Sequence, residues 1–263
     1  MNVDEWKGRW TLITGASAGI GVAFAEKLAA GGSHLVLTAR RMDRLEELAA
    51  RLEKAHSINV ECVAADLNVA QAPAEVFAFT QSKGLAIDFL INNAGFGQYG
   101  EFSPSELERQ LSMIRVNCLA VTELTHLFLK GMIERRRGDV LILASTASFQ
   151  AIPYMSVYAA TKSFDLLFAE GLAHEVAQYG IRVCALCPGA TQSEFQQVAG
   201  SPTDRVGRVE ETAEQVVAVG LEAIAAGRHH VISGFRNRMA AEVQRFVPRR
   251  VVTSAAAKIF KPK

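Results

Sequence analysis

The 263-residue sequence has no apolar run near the ~20 residues that a bilayer-spanning helix needs, so no transmembrane segment is expected. It has almost no net charge: 28 Lys and Arg against 27 Asp and Glu leave a formal +1, so no overall attraction draws it to nucleic acid or a membrane. Its first ten residues are polar and mixed in charge, unlike a secretory signal, and a cytoplasmic location is expected. Cysteine is scarce. Cys184 and Cys187 have C-x-x-C spacing, but they fall in a strand-like run, where positions three apart face opposite ways. A redox pair wants a helix N-terminus and a zinc site wants a second pair, so buried thiols and no metal are expected. Repeats and long linkers are also missing. At 49% hydrophobic and 21% charged, the composition suits one soluble domain with a sizeable core.

What is present is an alternation of short apolar runs and longer amphipathic ones. The sequence predicts strands at 10–14, 34–38, 59–64, 87–91, 140–144, 181–187 and 229–232. Helices are expected from the glycines near residue 19 through residue 28, then at 42–56, 72–83, 105–136, 154–179 and 211–226. This period implies an α/β fold: a single Rossmann-type, doubly wound parallel sheet of about seven strands, flanked by helices on right-handed crossovers. Residues 1–233 form the expected domain, with 234–263 a basic helical extension of it. Pro188-Gly189 ends the sixth strand, and a polar, mobile-looking segment follows through Gly207.

The first strand runs into Thr14-Gly15-Ala16-Ser17-Ala18-Gly19-Ile20-Gly21 and then a helix. Glycines let the backbone turn and approach a pyrophosphate, whose charge the helix N–H groups bind, so a dinucleotide is expected here. The second strand ends at Arg40-Arg41 with no acid nearby. Arginines at this place accommodate the extra phosphate of NADP, and NADP(H) is favoured over NAD(H); otherwise they merely begin a charged helix. Asp66, followed by Leu67, stands where it would accept from an adenine amino group, or cap the helix before residue 72. Asn92-Asn93-Ala94-Gly95 follows the fourth strand; its Asn side chains would tie strand ends together and its small residues admit a flat ring. Asn117, within the expected 105–136 helix, is a poor interior helix residue, which points to a kink, a polar role or a local partner.

Tyr158 and Lys162 are four residues apart on an expected helix and so share a face. A free phenol titrates near pH ~10. A neighbouring ammonium favours the phenolate, making the Tyr a usable general acid and base. Ser145 ends the fifth strand, where its hydroxyl would bind a substrate oxygen. A rival lies in Gly15-x-Ser17-x-Gly19, which matches a hydrolase nucleophile elbow with Ser17 attacking an ester and His229 or His230 as base. No earlier strand exists there to supply its oxyanion loop. A binding-only protein of the same fold is the other alternative.

Taken in order, these motifs resemble the short-chain dehydrogenase/reductase family over nearly the whole chain, to about Ile232. In that family a Ser lies thirteen residues before the Tyr, which selects Ser145 here. The resemblance implies hydride transfer between NADP(H) and a carbonyl or alcohol, with Tyr158 as general acid/base and Ser145 orienting the substrate oxygen. Lys162 would lower the Tyr pKa and hold the nicotinamide ribose, and Asn117 would support a water-linked proton relay. Pro188, Gly189, Thr191 and Ser193 would lie near the nicotinamide. Residues 155–157 and the loop after Phe96 would line the substrate pocket. Ala18 departs from a basic residue that some NADP-preferring relatives carry, so the cofactor preference rests on Arg40 and Arg41. Relatives pair their two longest helices, implying a homodimer or homotetramer here.

Eight basic residues between Arg236 and Lys263 face Glu242 alone, and Phe235, Met239, Val243, Phe246 and Val247 recur at helix-like spacing. The expected arrangement packs this apolar stripe on the subunit; contact with an anionic membrane surface is the alternative. The resemblance here is to bacterial general-purpose short-chain reductases.

Overall fold

In the computed structural model, residues 4–200 and 211–262 are described. Seven strands form one sheet: β1 (Trp10–Thr14), β2 (His34–Ala39), β3 (Val60–Ala64), β4 (Ile87–Asn92), β5 (Gly138–Leu143), β6 (Ile181–Cys187) and β7 (His230–Ile232). The helices are α1 (Gly19–Ala30), α2 (Met42–His56), α3 (Ala72–Ser82), α4 (Leu107–Ile114), α5 (Ala120–Arg135), α6 (Ser156–Val176), α7 (Phe195–Ala199), α8 (Ala213–Ala225), α9 (Phe235–Val243) and α10 (Arg249–Phe260). All strand pairs are parallel, in the order β3-β2-β1-β4-β5-β6-β7. The order reverses between β1 and β4, and a crevice at the carboxyl ends of the strands there is the ligand position of this architecture.

The strands read as continuous apolar runs because both faces are covered. On one face Phe24 and Leu28 of α1, Leu48 of α2 and Val216 and Leu221 of α8 are buried. On the other are Val76 of α3, Leu124 and Phe128 of α5, and Leu166 and Ala169 of α6. Cys184 joins the first layer and Cys187 the second, as the strand period requires, and all four thiols are free. The polar N-terminal segment hides one anchor that composition does not flag: Trp6 is fully buried, stacks on Phe89 and donates to Asp139 Oδ2 at 2.8 Å.

Three expectations need correction. The helix expected over 105–136 is two helices joined by a π-helical turn, Arg115–Leu119, centred on Asn117. A side chain that bonds outside the helix opens the ladder at that point. Asp66 does not cap α3: Gln71 stands at the N-cap position, with no side-chain cap bond, and Asp66 Oδ1 accepts from the Asn68 N–H at 3.0 Å. The tail stripe does not pack on the subunit as expected. Pro248 breaks the tail into α9 and α10, and Phe235, Met239, Val243 and Phe246 are exposed, Phe246 by 89%. The small residues Ala241 and Ala256 make the buried contacts instead. Asn237 pins the start of the tail, donating to Ser233 O at 2.8 Å and Glu211 Oε2 at 3.3 Å. The polar segment after Pro188-Gly189 contains α7, and its remainder to Gly207 falls outside the described residues, as does Lys263. Among the described residues no helix is long and apolar enough to cross a membrane.

Candidate active site

β1 delivers the chain to the crevice at Thr14, and Gly15 turns it at a φ of +66°. A Cβ at Gly15 would lie 2.9 Å from Ala94 Cα, and one at Gly21 would run into the Gly15 carbonyl oxygen. Only glycine lets this loop lie against both its own helix and the end of β4. Thr14 Oγ1 accepts from the N–H groups of Asn93 and Ala94, each at 2.9 Å, and Asn93 Nδ2 donates to Thr14 O at 2.8 Å. The expected tie between strand ends is thus real, and it locks the two sides of the switch point. α1 begins without a side-chain cap or an acid in its first turn, leaving its N–H groups for an anionic ligand.

A cleft of about 480 Å³ opens above this loop. Gly15, Ser17, Gly19, Ile20, Arg40, Arg41, Asp66, Leu67, Asn93, Ala94, Gly95 and Ser193 line it. Gly21, Tyr158, Lys162, Pro188, Gly189 and Thr191 do not. Gly21 packs behind the loop, Gly189 lies against Asn237 of α9, and Thr191 Oγ1 is turned to the Gly189 carbonyl at 3.2 Å. An elongated cleft with uncapped helix N–H groups at one place and arginines at its edge fits a dinucleotide with an added phosphate.

Arg41 is already engaged. Its guanidinium donates to Glu194 Oε2 from both terminal nitrogens at 3.1 Å and to Ser17 Oγ at 3.1 and 3.2 Å; Arg44 holds the other Glu194 oxygen at 2.9 Å. Hydrogen bonds from Arg44 and Arg41 hold the Glu194 carboxyl below its usual range. Nothing in the sequence spacing links residues 150 apart, so Glu194 was not among the expected site residues.

Ser145, Tyr158 and Lys162 meet at the end of β5. Ser145 caps a 3₁₀ turn, Thr146–Phe149, and accepts from Ala147 N at 3.1 Å. Ser148 and Ser163 stitch this turn to α6: Ser148 Oγ donates to Lys162 O at 2.6 Å and Ser163 Oγ to Ser148 O at 2.8 Å. Those bonds hold Ser145 at hydrogen-bonding distance from the phenol thirteen residues later. Lys162 Nζ donates to Leu143 O at 2.5 Å and Asp165 Oδ2 at 2.9 Å. Burial pushes the Tyr158 phenol up, and Lys162 and Ser145 pull it back without cancelling the shift. The expected lowering is therefore present as a contribution of Lys162 and not as the net direction. Burial alone would lower Lys162, but Asp165 and Tyr158 outweigh it and the net direction is up. Asn117, fully buried, accepts from Phe96 N at 3.1 Å and donates to Phe96 O and Thr161 Oγ1, each at 3.0 Å, joining the crevice loop to α6.

A family model described as short chain dehydrogenase matches residues 9–203. The chain belongs to the short-chain dehydrogenase family. It is an oxidoreductase. It is similar to a 7beta-hydroxysteroid dehydrogenase of Collinsella aerofaciens, 31% identical over 90% of each chain. It is also similar to the Bos taurus very-long-chain 3-oxoacyl-CoA reductase, 29% identical over 77% of this chain and 66% of that one. Among solved structures, a short-chain dehydrogenase from Sphingobium yanoikuyae in complex with NADPH superposes with a TM-score of 0.82 and 32% identity, covering 94% of this chain and 95% of that one.

The oxidoreductase assignment displaces the binding-only alternative. Geometry removes the hydrolase: Ser17 is bonded by Arg41, and His229 and His230 lie at β7, four strands from β1, where His229 packs on His174 and His230 pairs with Glu170 at 2.7 Å. Met155 and Tyr158 belong to an apolar cluster with Met113 and Ile152, on which Phe96, Tyr99, Val157, Phe195 and Phe260 pack. The Phe195 and Tyr158 rings lie 5.2 Å apart. Residues 155–157 and the loop after Phe96 border a second cavity of about 330 Å³ beside this cluster. Phe260 reaches it from the end of α10, a contribution invisible in the tail's composition.

Proposed function

We propose that this oxidoreductase uses NADP(H) and acts on a carbonyl or alcohol carried on an apolar skeleton. The observation that carries the reading is the meeting of Ser145, Tyr158 and Lys162 between the cleft and the apolar cluster. The bound dinucleotide supplies or accepts the hydride. Tyr158 gives the proton to the substrate oxygen in reduction and takes it in oxidation, while Ser145 orients that oxygen. Lys162 favours the phenolate and holds a ribose hydroxyl with a donor left over from its protein bonds. Asn117, which ties the Phe96 loop to α6, supports a water-linked proton relay. Arg40 and Arg41 take the 2′-phosphate, Asp66 and Leu67 receive the adenine, and Thr191 and Ser193 the nicotinamide amide.

Phe96 and Phe195 in the wall of the cleft, and Met155 and Val157 at the second cavity, favour bulky hydrophobic substrates. Residues 234–263 are read as part of the same domain, because Asn237 and Phe260 tie both ends of the tail to it. Assembly through the apolar, exposed Leu107, Leu111, Leu119 and Leu167 of the long-helix region gives a homodimer or homotetramer. Four free thiols fit a cytoplasmic location. NADPH consumption screened over steroid ketones, 3-oxoacyl thioesters and small sugars tests the reading. Turnover of sugars with none of the apolar ketones would overturn the substrate class, and fluorescence binding of NADH alone would overturn the cofactor.

A further inference from the structure

Beneath Lys162, one turn further along α6, lies a carboxylate that the reaction as described does not use. Asp165 is fully buried, and its Oδ2 accepts from Lys162 Nζ at 2.9 Å. Its Oδ1 is buried with no hydrogen-bond partner. A half-satisfied buried carboxylate is a poor stabiliser, and replacing such an ion pair by apolar side chains is often neutral or favourable. Its place beside the one ammonium that faces the Tyr158 phenol points to a role in the chemistry. We propose that Asp165 is a positioning residue of the oxidoreduction: its carboxylate, with the Leu143 carbonyl, tethers the Lys162 ammonium and sets how much positive charge reaches Tyr158.

The groups that sense Asp165 are few. Lys162 and Tyr158 share α6 with it, and Cys118 faces it from the π-helical turn. β5 contributes the Leu143 carbonyl to the same ammonium. Burial pushes the Cys118 thiol up to about 12, so it stays neutral through the working range. Burial likewise lifts Asp165 to about 6, against the pull of Lys162. Above that pH the carboxylate is charged and offsets the ammonium, which keeps the phenol protonated; below it Lys162 acts undiminished.

This inference rests on Tyr158 being the proton carrier, and its test separates the two. Tyrosinate absorbance is titrated in cofactor-free protein, with Tyr158→Phe subtracted to isolate one phenol, and kcat/KM is followed against pH. In Asp165→Asn the Tyr158 titration and the matching limb of the rate profile should both move to lower pH, by about one unit for loss of one near charge. Asp165→Leu should show the same displacement and also weaken NADPH binding, because the ammonium loses its tether; it carries the titration if the Asn variant does not fold. Profiles that superimpose on the parent's would overturn the proposal. Normal turnover by Tyr158→Phe would instead remove the assigned proton carrier, and the absorbance titration identifies that case because it needs no turnover.

Discussion

Arg41 and Glu194 are joined at 3.1 Å across the mouth of the cleft, with side chains 40% and 43% exposed. A pair so exposed is worth about 1 kcal/mol or less. A cofactor phosphate with its two charges outcompetes it for the same guanidinium. Glu194→Gln should therefore tighten NADPH several-fold and leave NADH nearly unchanged. Arg40→Ala with Arg41→Ala should weaken NADPH by roughly tenfold or more relative to NADH, the scale of one or two charge-assisted bonds. Fluorescence titration with both cofactors reads each case. Equal effects on the two nucleotides would mean that the arginines serve only the ion pair.

Tyr158→Phe removes the proposed proton carrier and little volume. Turnover should drop by about 10²–10⁴-fold, the usual worth of a general acid or base, while cofactor affinity holds. Lys162→Ala should lower both, if the ammonium holds the phenol and a ribose hydroxyl as proposed. Steady-state kinetics beside NADPH titration separates the two patterns, and a Tyr158→Phe enzyme with near-parental kcat contradicts the assignment.

Asn117→Ala leaves the Phe96 backbone groups without their side-chain partner and takes one bond from Thr161, whose hydroxyl still donates to Tyr158 O at 2.8 Å. Unmet buried bonds of this kind cost about 3 kcal/mol together. In a chain of this size that lowers Tm by about 10 °C. Thr161→Val removes one of the three Asn117 bonds together with Thr161's own donation to Tyr158 O, and should cost up to about two-thirds as much. A thermal scan on both variants checks the ratio, and an Asn117→Ala protein as stable as the parent would show that water replaces the side chain.

The tail makes two separable contributions. Phe260→Ala should raise KM for a bulky apolar substrate while leaving Tm within a few degrees, because one ring that packs on the cluster around Met155 and Tyr158 is lost. A chain ending at Gly234 should lose the Asn237 anchor as well and melt earlier. Light scattering on both proteins shows whether the exposed Phe235, Met239 and Phe246 serve assembly. A strictly monomeric full-length protein at micromolar concentration would refute the dimer, and loss of binding to anionic vesicles without change of mass would assign the tail to a membrane surface.

The parallel sheet of seven strands and most of the cleft were legible from sequence alone, while the strand order was not. Parallel strands buried on both faces must be apolar runs, and the glycine loop, Asn93 and the Tyr158–Lys162 pair announce themselves by spacing within single elements. The C-x-x-C pair could be dismissed for the same local reason, and Cys184 and Cys187 do fall in opposite layers. What required the tertiary structure were relations between distant segments. Glu194 meets Arg41 only because the loop after β6 folds over α2, and Phe260 reaches Tyr158's cluster only because Pro248 turns the tail back. The π-helical turn at Asn117 depends on a bond partner on another loop. The tail stripe was misread because helical spacing shows that residues share a face and not what that face meets. The net direction of the Tyr158 shift was misread for a like reason: a neighbouring ammonium is visible four residues away in sequence, but burial is a property of everything packed around the phenol.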